Sequence, residues 1–356
     1  MKYALAGGGT GGHAYPSITV GEELRRRGHE LVYYGTERGP EHALADSAGI
    51  PFRGMAASQV RGGPRRMARG GLNLVRGTRH VAAHMRADRP AALFATGGYA
   101  AAPVGLAARR HRVPMLVFLP DVHPGWAVRI LNRFATGVAC SVDAALPSLP
   151  RRKSVVTGYP VRAQFLSATR EEGRRRFGLD SALPTVLVTG GSLGARAINQ
   201  AVAQSLPRLL ARAQVLHVCG RHEEAALRAE RERLPAQLCD RYHLLAYTDE
   251  MAWAMAASDL AVARAGASTL GELPMAGLPA VVIPGGFSDQ QLNARYLEAR
   301  GAAVTLGNDQ LDRLEGIVLG LLEDEGKRAR MAAAMRGLAH PEAASQLADL
   351  LEAMAA

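Results

Sequence analysis

A histidine closing a run of five glycines and a threonine is the first side chain along the chain whose ordinary pKa lies near neutrality. Gly7-Gly8-Gly9-Thr10-Gly11-Gly12 leads into His13, and imidazole can accept a proton near neutral pH. The glycines permit a tight turn and expose backbone N–H groups, so a phosphate can dock without a lysine. Gly190-Gly191-Ser192-Leu193-Gly194-Ala195 repeats the arrangement in the second half of the chain. Its amides and the Ser192 hydroxyl suit a diphosphate. Arg264-Ala265-Gly266-Ala267-Ser268-Thr269-Leu270-Gly271-Glu272 follows an apolar stretch and opens another helix. Small residues there let a ligand approach the positive helix end, and Glu272 is placed to accept hydrogen bonds from a ribose diol. Asp289-Gln290-Gln291-Leu292-Asn293-Ala294 adds side-chain amides and a carboxylate, fit for an uncharged, hydroxyl-rich ligand such as a sugar. Diphosphate, ribose and sugar together describe a nucleotide-sugar site.

Other chemistries fit parts of these motifs. Gly7, Gly9 and Gly12 match the dinucleotide fingerprint GxGxxG, and Glu37 follows the second strand, where an NAD(P)-binding oxidoreductase places an acid. GGSLG echoes the GxSxG elbow with Ser192 as a hydrolase nucleophile, although no acid–histidine pair follows in order. Each glycine run can also be a plain turn, and His13 a structural histidine bonded to the loop backbone. Arg162 can pair with a phosphate or a leaving diphosphate, or stand as an ordinary surface arginine. A non-catalytic nucleotide-sugar binder also remains open. No DxD or histidine–carboxylate cluster points to an obligatory metal, so neither metal nor cofactor is expected.

The elements that must position these groups alternate strand and helix, twice over. Strands are expected at 3–6, 30–34, 92–95, 115–119, 137–140 and 154–157, with a first helix at about 18–27. A second series follows at 185–188, 214–218, 243–246, 260–263, 280–283 and 303–306. Short, continuous apolar strands are what a parallel sheet covered on both faces requires. The expected fold is α/β: two doubly wound, Rossmann-like domains with a cleft between the carboxyl ends of their strands. Residues 1–162, with a C-terminal helix at about 341–356, form the first domain; 163–340 form the second.

Composition narrows the partners. Residues 1–162 hold 23 Lys/Arg against 9 Asp/Glu, and 53–89 alone has nine arginines and one acid, Asp88. That excess suggests an anionic partner: a membrane surface, nucleic acid or a phosphorylated substrate. Nucleic acid is disfavoured because few aromatics interleave with the arginines. Met1-Lys2 runs straight into a strand, so no signal peptide is expected. The uncharged stretch 91–108 is interrupted by Gly97-Gly98 and Pro103 and reads as strand, loop and buried helix. Three scattered cysteines fit a reducing compartment.

These motifs, in this order and spacing, resemble over nearly the whole chain the glycosyltransferases of the GT-B fold. Within them the likeness is to the N-acetylglucosaminyltransferases that complete the lipid-linked peptidoglycan precursor. It rests on GGTGGH at 8–13, GGY at 97–99, GYPVR at 158–162 where the family usually has GNPVR, GGSLGAR at 190–196 and RAGASTLGE at 264–272. The resemblance implies an inverting transfer from UDP-N-acetylglucosamine to the 4-hydroxyl of undecaprenyl-diphosphate-linked N-acetylmuramoyl-pentapeptide. It implies Ser192 at the diphosphate, Thr248 near the uracil, and Ala267, Ser268, Thr269 and Leu270 at phosphates, with Gly271 in the same turn. Glu272 then takes the ribose and Gln290, or Gln291, the sugar hydroxyls. Thr10, Gly11 and Gly12 face sugar and acceptor diphosphate, His13 acts as base, and Arg162 steadies the departing UDP. Where the family usually carries a HEQN-like stretch this chain reads Phe118-Leu119-Pro120-Asp121-Val122-His123. Asp121 falls at the asparagine that contacts donor sugar, so Asp121 or His123 can share the proton work, and another UDP-sugar or a different lipid or small-molecule acceptor stays open. The resemblance also implies peripheral binding at the cytoplasmic membrane face, with the arginine-rich 53–89 segment on anionic lipid.

Overall fold

The computed structural model describes residues 1–9, 11–57, 64–191, 195–286 and 290–356; the side chains of 64–69 lie outside that description. Two compact units emerge: unit 1 is Met1–Arg162 with His340–Ala356, and unit 2 is Ala163–Ala339.

Unit 1 holds β1 (Lys2–Ala6), α1 (Gly11–Arg26), β2 (Glu30–Thr36), α2 (Pro40–Ser47), β3 (Phe52–Met55), α3 (Pro64–Asp88), β4 (Ala92–Ala95), α4 (Gly98–Arg110), β5 (Met115–Leu119), α5 (Trp126–Leu131), β6 (Gly137–Cys140) and β7 (Ser154–Val156). All strand pairs are parallel, in the order β3-β2-β1-β4-β5-β6-β7. The central strands β4 and β5 are buried at every residue, as helices on both faces demand. The order reverses between β1 and β4, so the loops leaving those two strands flank the crevice where doubly wound sheets bind ligands.

Unit 2 repeats the plan. It holds α6 (Gln164–Ser167), α7 (Arg170–Phe177), β8 (Thr185–Thr189), α8 (Arg196–Arg212), β9 (Gln214–Val218), α9 (Glu224–Glu232), α10 (Ala236–Cys239), β10 (Tyr242–Leu245), α11 (Met251–Ala256), β11 (Leu260–Arg264), α12 (Thr269–Ala276), β12 (Ala280–Ile283), α13 (Gln290–Ala299), β13 (Ala303–Thr305), α14 (Leu314–Glu323) and α15 (Glu325–Arg336). The parallel order β10-β9-β8-β11-β12-β13 reverses between β8 and β11. Ile198, Val202, Leu206 and Leu209 recur at helical spacing along α8 and pack on Val186, Val188, Val215 and Val262 of the sheet.

The last helix, α16 (Ala343–Ala355), belongs to unit 1 and packs on α1, β4 and β5. Arg27 at the end of α1 binds Asp349 at 2.6 Å, Glu352 at 2.7 Å and the Ser345 hydroxyl at 2.8 Å.

Two elements depart from the sequence reading. α1 begins at Gly11 rather than near 18, because burial of Ala14, Pro16 and Ser17 on the sheet outweighs the helix-breaking tendency of glycine and proline. β3 was invisible as a strand: Phe52-Arg53-Gly54-Met55 is a short, partly exposed edge strand with no apolar run. The 91–108 stretch folds as β4, a short loop and the buried α4. Among the described residues no helix is long and apolar enough to cross a membrane.

Candidate active site

In unit 1 the groups gather at the β1 and β4 loops. Gly98 (φ 71°) stands so close to the β1 loop that a Cβ would lie 2.0 Å from the Gly8 carbonyl oxygen. Only glycine permits that approach. His13, half-buried in the first turn of α1, is fixed by Thr96 in both directions. Its Nδ1 lies 2.9 Å from the Thr96 carbonyl, and the Thr96 hydroxyl donates to the His13 carbonyl. A carbonyl only accepts, so Nδ1 carries the proton and neutral His13 keeps its lone pair on Nε2. That is the form a general base needs.

Beneath the loop lies a carboxylate that sequence reasoning missed. Glu41 of α2 is wholly buried. Its Oε2 accepts from the Gly9 amide at 3.2 Å, and its Oε1 from the Thr36 amide at 2.9 Å and the Thr36 hydroxyl at 2.6 Å. Charge-assisted acceptance from three donors offsets the burial of an anion. No local pattern marked it, because its contact with Gly9 spans 32 residues of sequence. Glu41, and not the exposed Glu37, is the acid turned toward this loop.

The other expected unit 1 residues lie on neighbouring segments. Asp121 is half-buried in the turn after β5, and β5 pairs with β4. His123 accepts from the Arg129 guanidinium through Nε2, while Arg129 Nε donates to the Pro124 carbonyl at 2.9 Å. His123 is thereby committed to ordering the turn. Arg162 lays its guanidinium over the Tyr15 ring, 4.9 Å from the centroid. Burial raises the pKa of Glu22 of α1, while the nearby Arg25 and Arg162 cations oppose the shift. Gly11 and Gly12 open α1; Thr10 lies outside the described residues.

In unit 2 the corresponding loops leave β8 and β11, adjacent strands at the reversal. Gly191 (φ 80°) donates to the Thr189 hydroxyl at 3.3 Å; Ser192 lies outside the described residues. At the 265–272 turn the backbone amides divide into two sets. The amides of Thr269, Leu270, Gly271 and Glu272 already donate to Gly266, Ala267 and Ser268 carbonyls, at 3.1, 3.2, 3.0 and 2.8 Å. Leu270 is buried in the core. The amides of Gly266, Ala267 and Ser268 take no acceptor among the described residues. Glu272 is half-buried in the first turn of α12.

Arg264 and Asn308 fix the neighbouring strand end. Arg264 Nη1 donates to the Ile283 and Pro284 carbonyls at 3.3 and 3.2 Å and to Asn308 Oδ1 at 2.9 Å. Asn308 Nδ2 donates to Pro284 at 2.6 Å. Gln290 at the start of α13 accepts the Gly285 amide through Oε1 at 2.7 Å. That contact orients its Nε2 donor. Gln291 is exposed one position round the helix. Thr248 Oγ1 accepts the Glu250 amide at 3.0 Å and so starts α11. Among the described residues no group of His, Cys, Asp or Glu is arranged to hold a metal ion.

Comparison with known proteins finds two family domains in the same order. Residues 3–140 match the N-terminal domain of glycosyltransferase family 28, and residues 185–347 its C-terminal domain. A protein of Roseiflexus sp. (strain RS-1), named UDP-N-acetylglucosamine--N-acetylmuramyl-(pentapeptide) pyrophosphoryl-undecaprenol N-acetylglucosamine transferase, is 41% identical over 99% of this chain and 95% of its own. One of the same name from Thermus thermophilus is 39% identical over 98% of both chains. The crystal structure of Acinetobacter baumannii MurG superposes with a TM-score of 0.78 at 26% identity, covering 99% of each chain.

Proposed function

The chain belongs to glycosyltransferase family 28, and from that premise we infer that it transfers N-acetylglucosamine from UDP-N-acetylglucosamine to undecaprenyl-diphospho-N-acetylmuramoyl-pentapeptide, with inversion. The observation that carries the reading is the pairing of a glycine turn with each sheet's point of strand-order reversal.

In this account unit 2 holds the donor. The 266–268 amides and the Ser192 segment receive the diphosphate, Thr248 borders the uracil, Glu272 accepts from the ribose hydroxyls, and Gln290 reads the sugar. Unit 1 supplies the base. His13 Nε2 takes the proton of the acceptor's 4-hydroxyl as that oxygen attacks the anomeric carbon. The bond from that carbon to the β-phosphate oxygen breaks, and UDP leaves with the electron pair. Amide dipoles at the helix starts and the Arg162 cation stabilise the departing charge. Asp121 meets the sugar or shares the proton.

Membrane attachment falls to α3. Leu72 and Val75 are each 49% exposed, and with the exposed Arg76, Arg79 and Arg86 they occupy one face of that helix. Apolar side chains backed by arginines suit the surface of an anionic bilayer at the cytoplasmic side.

Two measurements test the assignment. In calorimetry, Glu272→Ala is expected to weaken UDP-N-acetylglucosamine binding roughly tenfold, the loss of a charge-assisted hydrogen bond; wild-type affinity would remove the ribose contact. In vesicle sedimentation at low salt, equal binding to anionic and neutral lipid would remove the α3 assignment.

A further inference from the structure

The strongest feature outside the proposed chemistry joins Pro16, Gly12 and Tyr159. Pro16 lies inside α1, where a residue normally donates its amide to the carbonyl four positions earlier. Proline has no amide, and its ring crowds that same carbonyl. The carbonyl concerned is that of Gly12. The Tyr159 hydroxyl donates to it at 3.2 Å, arriving from the 158–162 segment, far away in sequence. Tyr159 is 3% exposed and its ring meets Phe118 edge-on at 6.3 Å.

The Gly12 carbonyl and the His13 amide belong to one peptide plane. Whatever holds that carbonyl sets the direction in which the His13 side chain leaves the helix. The far side of His13 is already fixed by Thr96. We propose that Tyr159 is a positioning residue for His13, its hydroxyl supplying the donor that Pro16 withholds. The inference rests on the reading of His13 as the base. It also assigns a use to the tyrosine of GYPVR.

The arrangement predicts its own repair. Tyr159→Phe removes only the hydroxyl and keeps the ring against Phe118, leaving the Gly12 carbonyl without its donor. Pro16→Ala restores an amide at position 16, which closes the ordinary helical bond to Gly12. Turnover of UDP-N-acetylglucosamine with a short-chain lipid-linked acceptor is measured for wild type, both single variants, the double variant and His13→Ala. Tyr159→Phe is expected to lower kcat about tenfold, the scale of a small misplacement of a reacting group, with donor KM unchanged. The double variant is expected to return to within about twofold of Pro16→Ala, which itself stays near wild type. Wild-type kcat in Tyr159→Phe overturns the proposal, and so does a double variant as slow as Tyr159→Phe. Wild-type kcat in His13→Ala is a separate result: it removes the base assignment and the proposal with it.

Discussion

In unit 1 the Gly9 amide donates to Glu41, the Gly12 carbonyl accepts from Tyr159 and the His13 carbonyl from Thr96, so the glycine loop turns its backbone toward the protein. In unit 2 the turn on the other side of the reversal, after β11, keeps the amides of 266–268 clear of acceptors among the described residues. The strand order around the reversal is shared. A backbone bonded to its own protein can present a side chain in one fixed pose. A backbone with open amides can receive a phosphate. Charge follows the division: unit 1 holds 23 Lys/Arg against 12 Asp/Glu, unit 2 holds 20 of each. The side that would carry the proton chemistry also carries all of the net charge.

The comparison breaks most plainly at His13. His13→Ala is expected to lower kcat by about a hundredfold or more, the range for loss of a general base, while calorimetric affinity for UDP-N-acetylglucosamine stays unchanged. Asp121→Ala in parallel settles which group moves the proton. If the aspartate variant is the slower of the two, the division of labour between the loops needs rewriting.

A smaller pair of effects sharpens it. Glu41→Gln exchanges one acceptor oxygen for a donor, so either Gly9 or Thr36 loses its partner in a buried setting. A stability loss of about 1–3 kcal/mol follows, read as a lower denaturant midpoint, with slower turnover and unaltered donor affinity. Arg264→Ala removes the three hydrogen bonds that hold the end of β12 and Asn308. Its stability loss is expected to be similar, about 1–3 kcal/mol, but its functional effect should appear in donor affinity. Should both variants alter the same kinetic constant, the two loops do not serve different substrates.

The strands of both sheets were legible because parallel, doubly covered strands are continuous apolar runs, and 115–119 or 260–263 look like nothing else. The edge strand β3 was not, since half-exposed Phe52-Arg53-Gly54-Met55 has no such run. His13 was legible from its place after the glycines, whereas the Thr96 bonds that fix its tautomer come from a strand 83 residues away. Glu41 and Tyr159 escaped notice for the same reason: each acts on the glycine loop through a tertiary contact that no local pattern encodes. The bonding of the 265–272 amides was hidden for another reason. Helix-start amides are all alike in sequence, and only the turn geometry decides which are already bonded.

The smallest effect concerns α16, the segment that gives unit 1 a closing helix without a counterpart in its own strand series. Arg27 joins Glu23 of α1, at 2.8 Å, to Asp349 and Glu352 of α16. Hydrogen bonding to Arg26, and then to Arg27, holds the Glu23 carboxyl down to about 2 against burial, below its ordinary value of 4.5. His29, followed by Arg27, lowers Glu352 as well. A carboxylate depressed in the folded state contributes stability that is complete above its unfolded pKa and disappears as pH falls toward the folded value. For Glu23 that window runs from about pH 4.5 down to about 2. Surface-facing pairs of this kind contribute little, so the expected signal is a shift of about 1–3 °C. Between pH 5 and 2.5, Glu23→Gln should therefore lose less melting temperature than wild type, by that margin. Parallel decline of the two proteins would mean that the pairing of Glu23 with Arg26 and Arg27 contributes nothing measurable.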